Sequence, residues 1–150
     1  MKNIFDKEIT NEVINRIAKL TPTSQPSWGK MNVAEMLAHC CVAYEMIYTS
    51  KHPRPNGFVR MMLKAFVKKA VVNETPFAKN GRTAPQFIIT DEREFETEKK
   101  RLIAFITKTQ ELGEQYFDGK ESHSFGKLST KEWNNSFYKH LEHHLTQFGV

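Results

Sequence analysis

Cysteine is scarce in this chain of 150 residues: there are two, and they are neighbours, Cys40 and Cys41. Adjacent thiols are poorly placed for a structural disulfide, so both are expected as small core residues in a reducing compartment. Long apolar runs are also missing. No stretch reaches the roughly 18 residues of a spanning helix, and no apolar run follows a basic start within the first thirty residues, as it would in a secretory leader. The expectation is a soluble, cytoplasmic protein without stable membrane insertion. Acid is almost absent between Lys51 and Arg82, where eight Lys or Arg residues accompany Glu74 alone. That segment carries +7 against a chain total of +5, so the remainder is −2. The basic character is therefore local, a patch or loop, and no nucleic-acid motif accompanies it. There is no phosphate-cradling glycine loop, CxxC pair, Ser/His/Asp order, internal repeat or low-complexity tract.

What remains is mostly helical periodicity, in a length suited to one domain spanning residues 1–150 with a single core. Ile9, Val13, Ile17 and Leu20 predict a first helix over 6–20, with Asp6 as N-cap. TPTSQPSWGK then forces a loop. Asn32 and Glu35 form a capping signature for a second helix to Tyr48, whose stripe runs through Val33, Met36, Leu37, Cys40, Tyr44 and Ile47. After the break KHPRPNG, Phe58 to Val72 reads as one short helix in which Arg60, Lys64 and Lys68 recur every four residues. Such a basic amphipathic helix either packs on the core with a solvated lysine face or meets an anionic membrane or acidic ligand. The loop from Thr75 to Pro85 holds Lys79 and Arg82 and is long enough to fold over a site. Gln86 to Thr90 reads as extended. Asp91 and Glu94 open a third long helix to about Gln115, and Ser129 with Glu132 caps a fourth from Thr130 to Gln147. The prediction is all-α: a four-helix bundle with an extra short helix and long loop between the second and third long helices, a fold whose facing helices commonly build metal sites.

The fourth helix carries the chemistry. Its His140, His143 and His144 lie three and four residues apart, so one face aims imidazoles at a common point. Trp133, Phe137, His140 and His144 share an arc at roughly 100° per residue. Neutral imidazole is the commonest protein metal ligand, and an i,i+4 pair reaches one ion from successive turns. A third ligand must come from elsewhere, and His39, at the margin of the second helix's stripe, is the candidate. Glu35, one turn before His39, serves either as a cap or as a base near the site. His143, Glu35 and Trp133 are thus the residues expected around the centre, with Lys79 and Arg82 as anion or substrate anchors.

The ending HLEHHLTQ, an HxxHHxxQ pattern, together with the histidine in NVAEMLAHC, resembles the DinB-like (DinB/YfiT) metalloenzyme superfamily. WGKMN, RTAP and FGKLS are similar to one uncharacterised branch of it. The resemblance covers about Trp28 to Val150. It implies a four-helix bundle in which His39, His140 and His144 bind a divalent metal, nickel or zinc, often within a homodimer, while His143 matches an intermediate histidine that is not a ligand. Some relatives resemble thiol-dependent S-transferases that use mycothiol, bacillithiol or glutathione as cosubstrate against small electrophiles. Here Leu145 follows the paired histidines where Arg-Gly is common, so the thiol is not specified. Metal-dependent hydrolysis and a non-enzymatic, metal-stabilised binding module are the alternatives.

Overall fold

The computed structural model describes residues 1–150 and is mostly helical, with a single small hairpin. Helix α1 spans Lys7–Ala18, α2 Val33–Tyr48, α3 Gly57–Phe66, α4 Lys68–Val72, α5 Phe95–Phe117 and α6 Thr130–Gln147. Strands β1 (Glu121–Ser122) and β2 (Gly126–Lys127) pair antiparallel between α5 and α6. The four longer helices α1, α2, α5 and α6 pack on one another around a common core.

Helix α2 is the central element. Apolar and small residues surround it, and Leu37, Cys41 and Tyr44 are essentially solvent-free. Each fully buried Leu or Met in this core contributes roughly 1.5–3 kcal/mol. Its start is fixed by a complete capping box: Asn32 Oδ1 accepts from the Glu35 N–H at 2.9 Å, and Glu35 Oε2 accepts from the Asn32 N–H at 2.9 Å. Helix α6 begins the same way at Ser129 and Glu132. It also fastens the N-terminal segment, because Asn134 accepts from Ile4 N–H and donates to the Lys2 carbonyl.

Several local expectations change. The 58–72 segment is two helices, broken at Val67 (φ −108, ψ −38). The break turns the carbonyl end of α4 on to α6, where Lys139 Nζ donates to Ala70 O at 2.8 Å and Asn73 O at 2.7 Å, and Asn135 donates to Val72 O. Asp91 does not cap α5. It pairs with Arg93, and the Glu94 side chain takes the N–H groups of Glu96 and Thr97. Helix α5 continues past Gln115 only by kinking at Gly113, whose φ of +70 favours a residue without Cβ. The kink sends Phe117 into the core against Trp133 and Phe137. Gln86 to Thr90, expected as extended, instead begins within a single 3-10 turn at Pro85–Phe87.

Cys40 and Cys41 are buried, free thiols. Burial pushes Cys40 well up and Cys41 to about 12, so both stay protonated and unreactive near neutrality. No helix is long and apolar enough to cross a membrane.

Candidate metal centre

Capping places His39 two turns into α2, where the residue is only 5% exposed, and the helical repeat of α6 places His140 and His144 opposite it. One ring nitrogen of each of His39, His140 and His144 lies within 4.8 Å of the other two. The ring centroids are 4.9 Å apart for His39 and His140, 4.6 Å for His39 and His144, and 4.9 Å for His140 and His144.

Two of the three rings are oriented by carbonyl groups. His39 Nδ1–H donates to the Phe87 carbonyl at 2.8 Å, and His144 Nδ1–H donates to Gln147 Oε1 at 2.8 Å. A carbonyl oxygen only accepts, so each Nδ1 carries the proton and each Nε2 is left as a lone pair facing the cluster. Metal-ligating histidines are held in this way, which fixes the tautomer and strengthens the donor nitrogen. His39 Nε2 meets His140 Nε2 at 2.9 Å, a contact in which His140 is the donor. Nitrogens each 2.0–2.1 Å from one ion sit roughly 3 Å apart, so an ion would take the place of that single proton.

The local electrostatics favour neutral rings. Burial lowers the pKa of His39, with its bond to Phe87 partly opposing; burial and the neighbouring His144 lower His140 strongly; burial brings His144 down to about 3. All three therefore stay neutral at neutral pH, with the Nε2 lone pairs of His39 and His144 free and a single proton on His140 to be displaced, as metal binding requires. The three histidines could hold a metal ion, and no carboxylate belongs to the group.

Gln147 had no assigned role in the sequence, and it proves central. Its Nε2 donates to the Trp28 carbonyl at 2.6 Å, and its backbone carbonyl accepts from Ser27 N–H at 2.8 Å. The 21–30 loop thus holds Gln147, which holds His144. Gly29 is required for this approach: it has φ +84, and a Cβ there would stand 2.6 Å from Gln147 Nε2. The signal in the sequence was the glutamine three residues after His144, on the same face one turn on. Phe87 was missed because its contribution is a backbone atom.

A cavity of about 320 Å³ opens beside the three rings. Ala43, Val67, Val71, Phe77 and Phe87 make its apolar wall, Thr83 and Ser136 add hydroxyls, and Arg82 is its single lysine or arginine. His143 lines this cavity without joining the converging set. It also lines an adjoining cavity of about 290 Å³, which shares Phe77 with the first. Lys79 belongs to that neighbour, its ammonium 4.3 Å from the Trp28 ring centroid. The two proposed anchors are therefore split between compartments. Glu35 is engaged in its capping box, and Trp133 lies in the Phe117/Phe137 aromatic cluster, outside the lining of either cavity. Arg60 and Lys68, from the basic stripe, are ion-paired with Glu121 and Glu132.

No curated protein and no solved structure matches this chain. A family model described as "Protein of unknown function (DUF1569)" matches residues 4–149, nearly the whole length, and the chain belongs to that family.

Proposed function

We propose that the protein is a metal-dependent enzyme of the DinB-like class, a four-helix bundle acting on small electrophiles by thiol-dependent S-transfer in the cytoplasm, as a homodimer. The observation that carries this reading is the convergence of three neutral imidazoles, two of them pinned by carbonyls, at the wall of an open cavity. His39, His140 and His144 would hold a divalent ion, which would supply Lewis acidity that makes a nearby thiol or water easier to deprotonate. The protein's residues do the remaining work. Phe87 and Gln147 keep two rings aimed, the apolar wall excludes bulk water, and Arg82 offers a fork for a carboxylate on the thiol or its acceptor. His143 lines the same cavity, where burial lowers its pKa and keeps its ring neutral.

An ion serving structure alone belongs in a closed site, whereas this one adjoins about 320 Å³ of free space. That volume favours catalysis over a metal-stabilised binding module. Metal analysis of protein prepared without chelator is the first test, with one divalent ion per chain expected. Its absence removes the proposal. Conjugation assays with mycothiol, bacillithiol and glutathione against small electrophiles are the second. Bound metal with no conjugation by any thiol makes hydrolysis the better reading.

A further inference from the structure

The apolar face of α3 looks away from the protein. At about 100° per residue, Phe58, Met61, Met62, Ala65 and Phe66 fall on one arc, with Lys64 at its edge. A core-packed helix would turn this arc inward. Here Phe58 is 68% exposed, Met61 57%, Met62 41% and Phe66 74%, and no residue of the helix is buried. An ion pair between Arg60 and Glu121 and the junction with α4 hold the helix in place. Contiguous apolar patches of this kind are seldom left uncovered on a protein that works alone.

Charge decides what covers it. The 51–82 segment carries eight cations and one acid. Arg54, Lys64 and Lys69 are exposed and enter no ion pair, whereas Arg60 and Lys68 have acidic partners. Two-fold pairing of this face with a second copy would set two equally cationic segments against each other, where like charges repel. One face of a ten-residue helix also falls well short of the roughly 20–30 residues per side of a stable interface. An anionic lipid surface suits both features. Phe and Met side chains sink to the level between headgroups and acyl chains, and the flanking cations stay with the phosphates.

We propose that α3 docks the protein reversibly on anionic membrane surfaces, lying in the plane of the interface. A helix of this length measures about 15 Å and lies on a bilayer rather than crossing it. Val67, immediately after it, and Val71 line the histidine cavity, so docking brings one rim of that cavity towards the lipid. The proposal goes beyond the enzymatic reading and does not depend on it.

Co-sedimentation of the full chain with vesicles tests it. The protein is expected to pellet with phosphatidylcholine vesicles containing about three parts in ten of phosphatidylserine, about tenfold less with phosphatidylcholine alone, and progressively less as salt is raised. Phe58→Ser with Phe66→Ser, and separately Lys64→Glu with Lys69→Glu, should each weaken association by about tenfold or more. Because these side chains are exposed, helical content and bound metal should be unchanged. Failure to associate with anionic vesicles, or association that survives either pair of substitutions, overturns the proposal. A concentration-dependent dimer that Phe58→Ser with Phe66→Ser abolishes, without vesicle binding, assigns the face to a second copy instead.

Discussion

Helix α2 contributes to two buried polar regions that obey opposite rules. In its first half His39 joins His140 and His144, three neutral imidazoles whose ring nitrogens converge with no acid among them. At its end Glu45 joins Glu98, two carboxylates 4% and 5% exposed, and every charge there has a partner. Arg101 bridges both acids, Arg93 holds Glu98 at 3.2 Å, and Lys51 and His52 donate to Glu45 at 3.2 and 2.7 Å. Burial alone would raise the Glu45 pKa, but the bonds from His52 and Lys51 outweigh it and hold the carboxyl below its usual range. The Glu45 and Glu98 region is saturated and closed. The histidine region is unsaturated towards a cation, so polar burial there marks a candidate site, whereas at Glu45 and Glu98 it marks a structural clamp.

Substitutions can break this contrast. His140→Ala should have the largest effect, lowering metal affinity by well over about 100-fold, beyond the range seen when only an orienting partner is lost. Competition with a chromophoric chelator measures it, and retained stoichiometric metal would erase the distinction between the two regions. Glu45→Gln should leave metal content intact while costing about 3 kcal/mol in urea unfolding, because it strands part of the Arg101 charge. That figure is at the low end since Arg101 is 32% exposed. Gln147→Leu should sit between the regions in character, reducing metal affinity by about 10–100-fold through a residue that is not a ligand.

Acid separates the regions by pH window. The three rings are neutral in the fold but titrate near 6.5 when unfolded, so the unfolded chain binds more protons and stability falls as pH drops below about 6.5. Each ring can contribute up to about 1.4 kcal/mol per pH unit until its folded pKa is reached, about 3 for His144. Glu45, depressed in the fold, contributes its loss only below its ordinary value of 4.5. Melting of metal-free protein between pH 7 and 5 should therefore report the histidines, and His144→Asn should flatten that part of the curve. The smallest expected effect is that of Glu35→Gln, about 0.5–1 kcal/mol of stability with metal binding unchanged, as a cap rather than a base would give.

The histidine cluster was legible because it obeys the helical repeat within α6, and the capping signatures at Asn32 and Ser129 set both helices in phase. Helix positions were readable for the same local reason. Gln147 escaped because its role depends on Trp28, 119 residues away, and Phe87 because a carbonyl has no letter of its own. Helix α3 shows a different limit. Periodicity reveals that Phe58, Met61, Met62 and Phe66 share a face, but a helical wheel has no inside or outside until neighbours are placed around it. The break at Val67 was equally hidden, since Lys139 and Asn135 pull α4 on to α6 from a distant part of the chain.

Lys139 turns that last attachment into a reporter. Its ammonium spends all three hydrogens on Ala70 O, Asn73 O and Asn73 Oδ1, and burial brings its pKa down to about 8. While α4 is seated the amine is masked from acylating reagents. If α4 lifts, the amine is released from its three carbonyl-type acceptors and exposed to the reagent, and residue-resolved labelling by mass spectrometry would read how often the wall formed by Val67 and Val71 stands open.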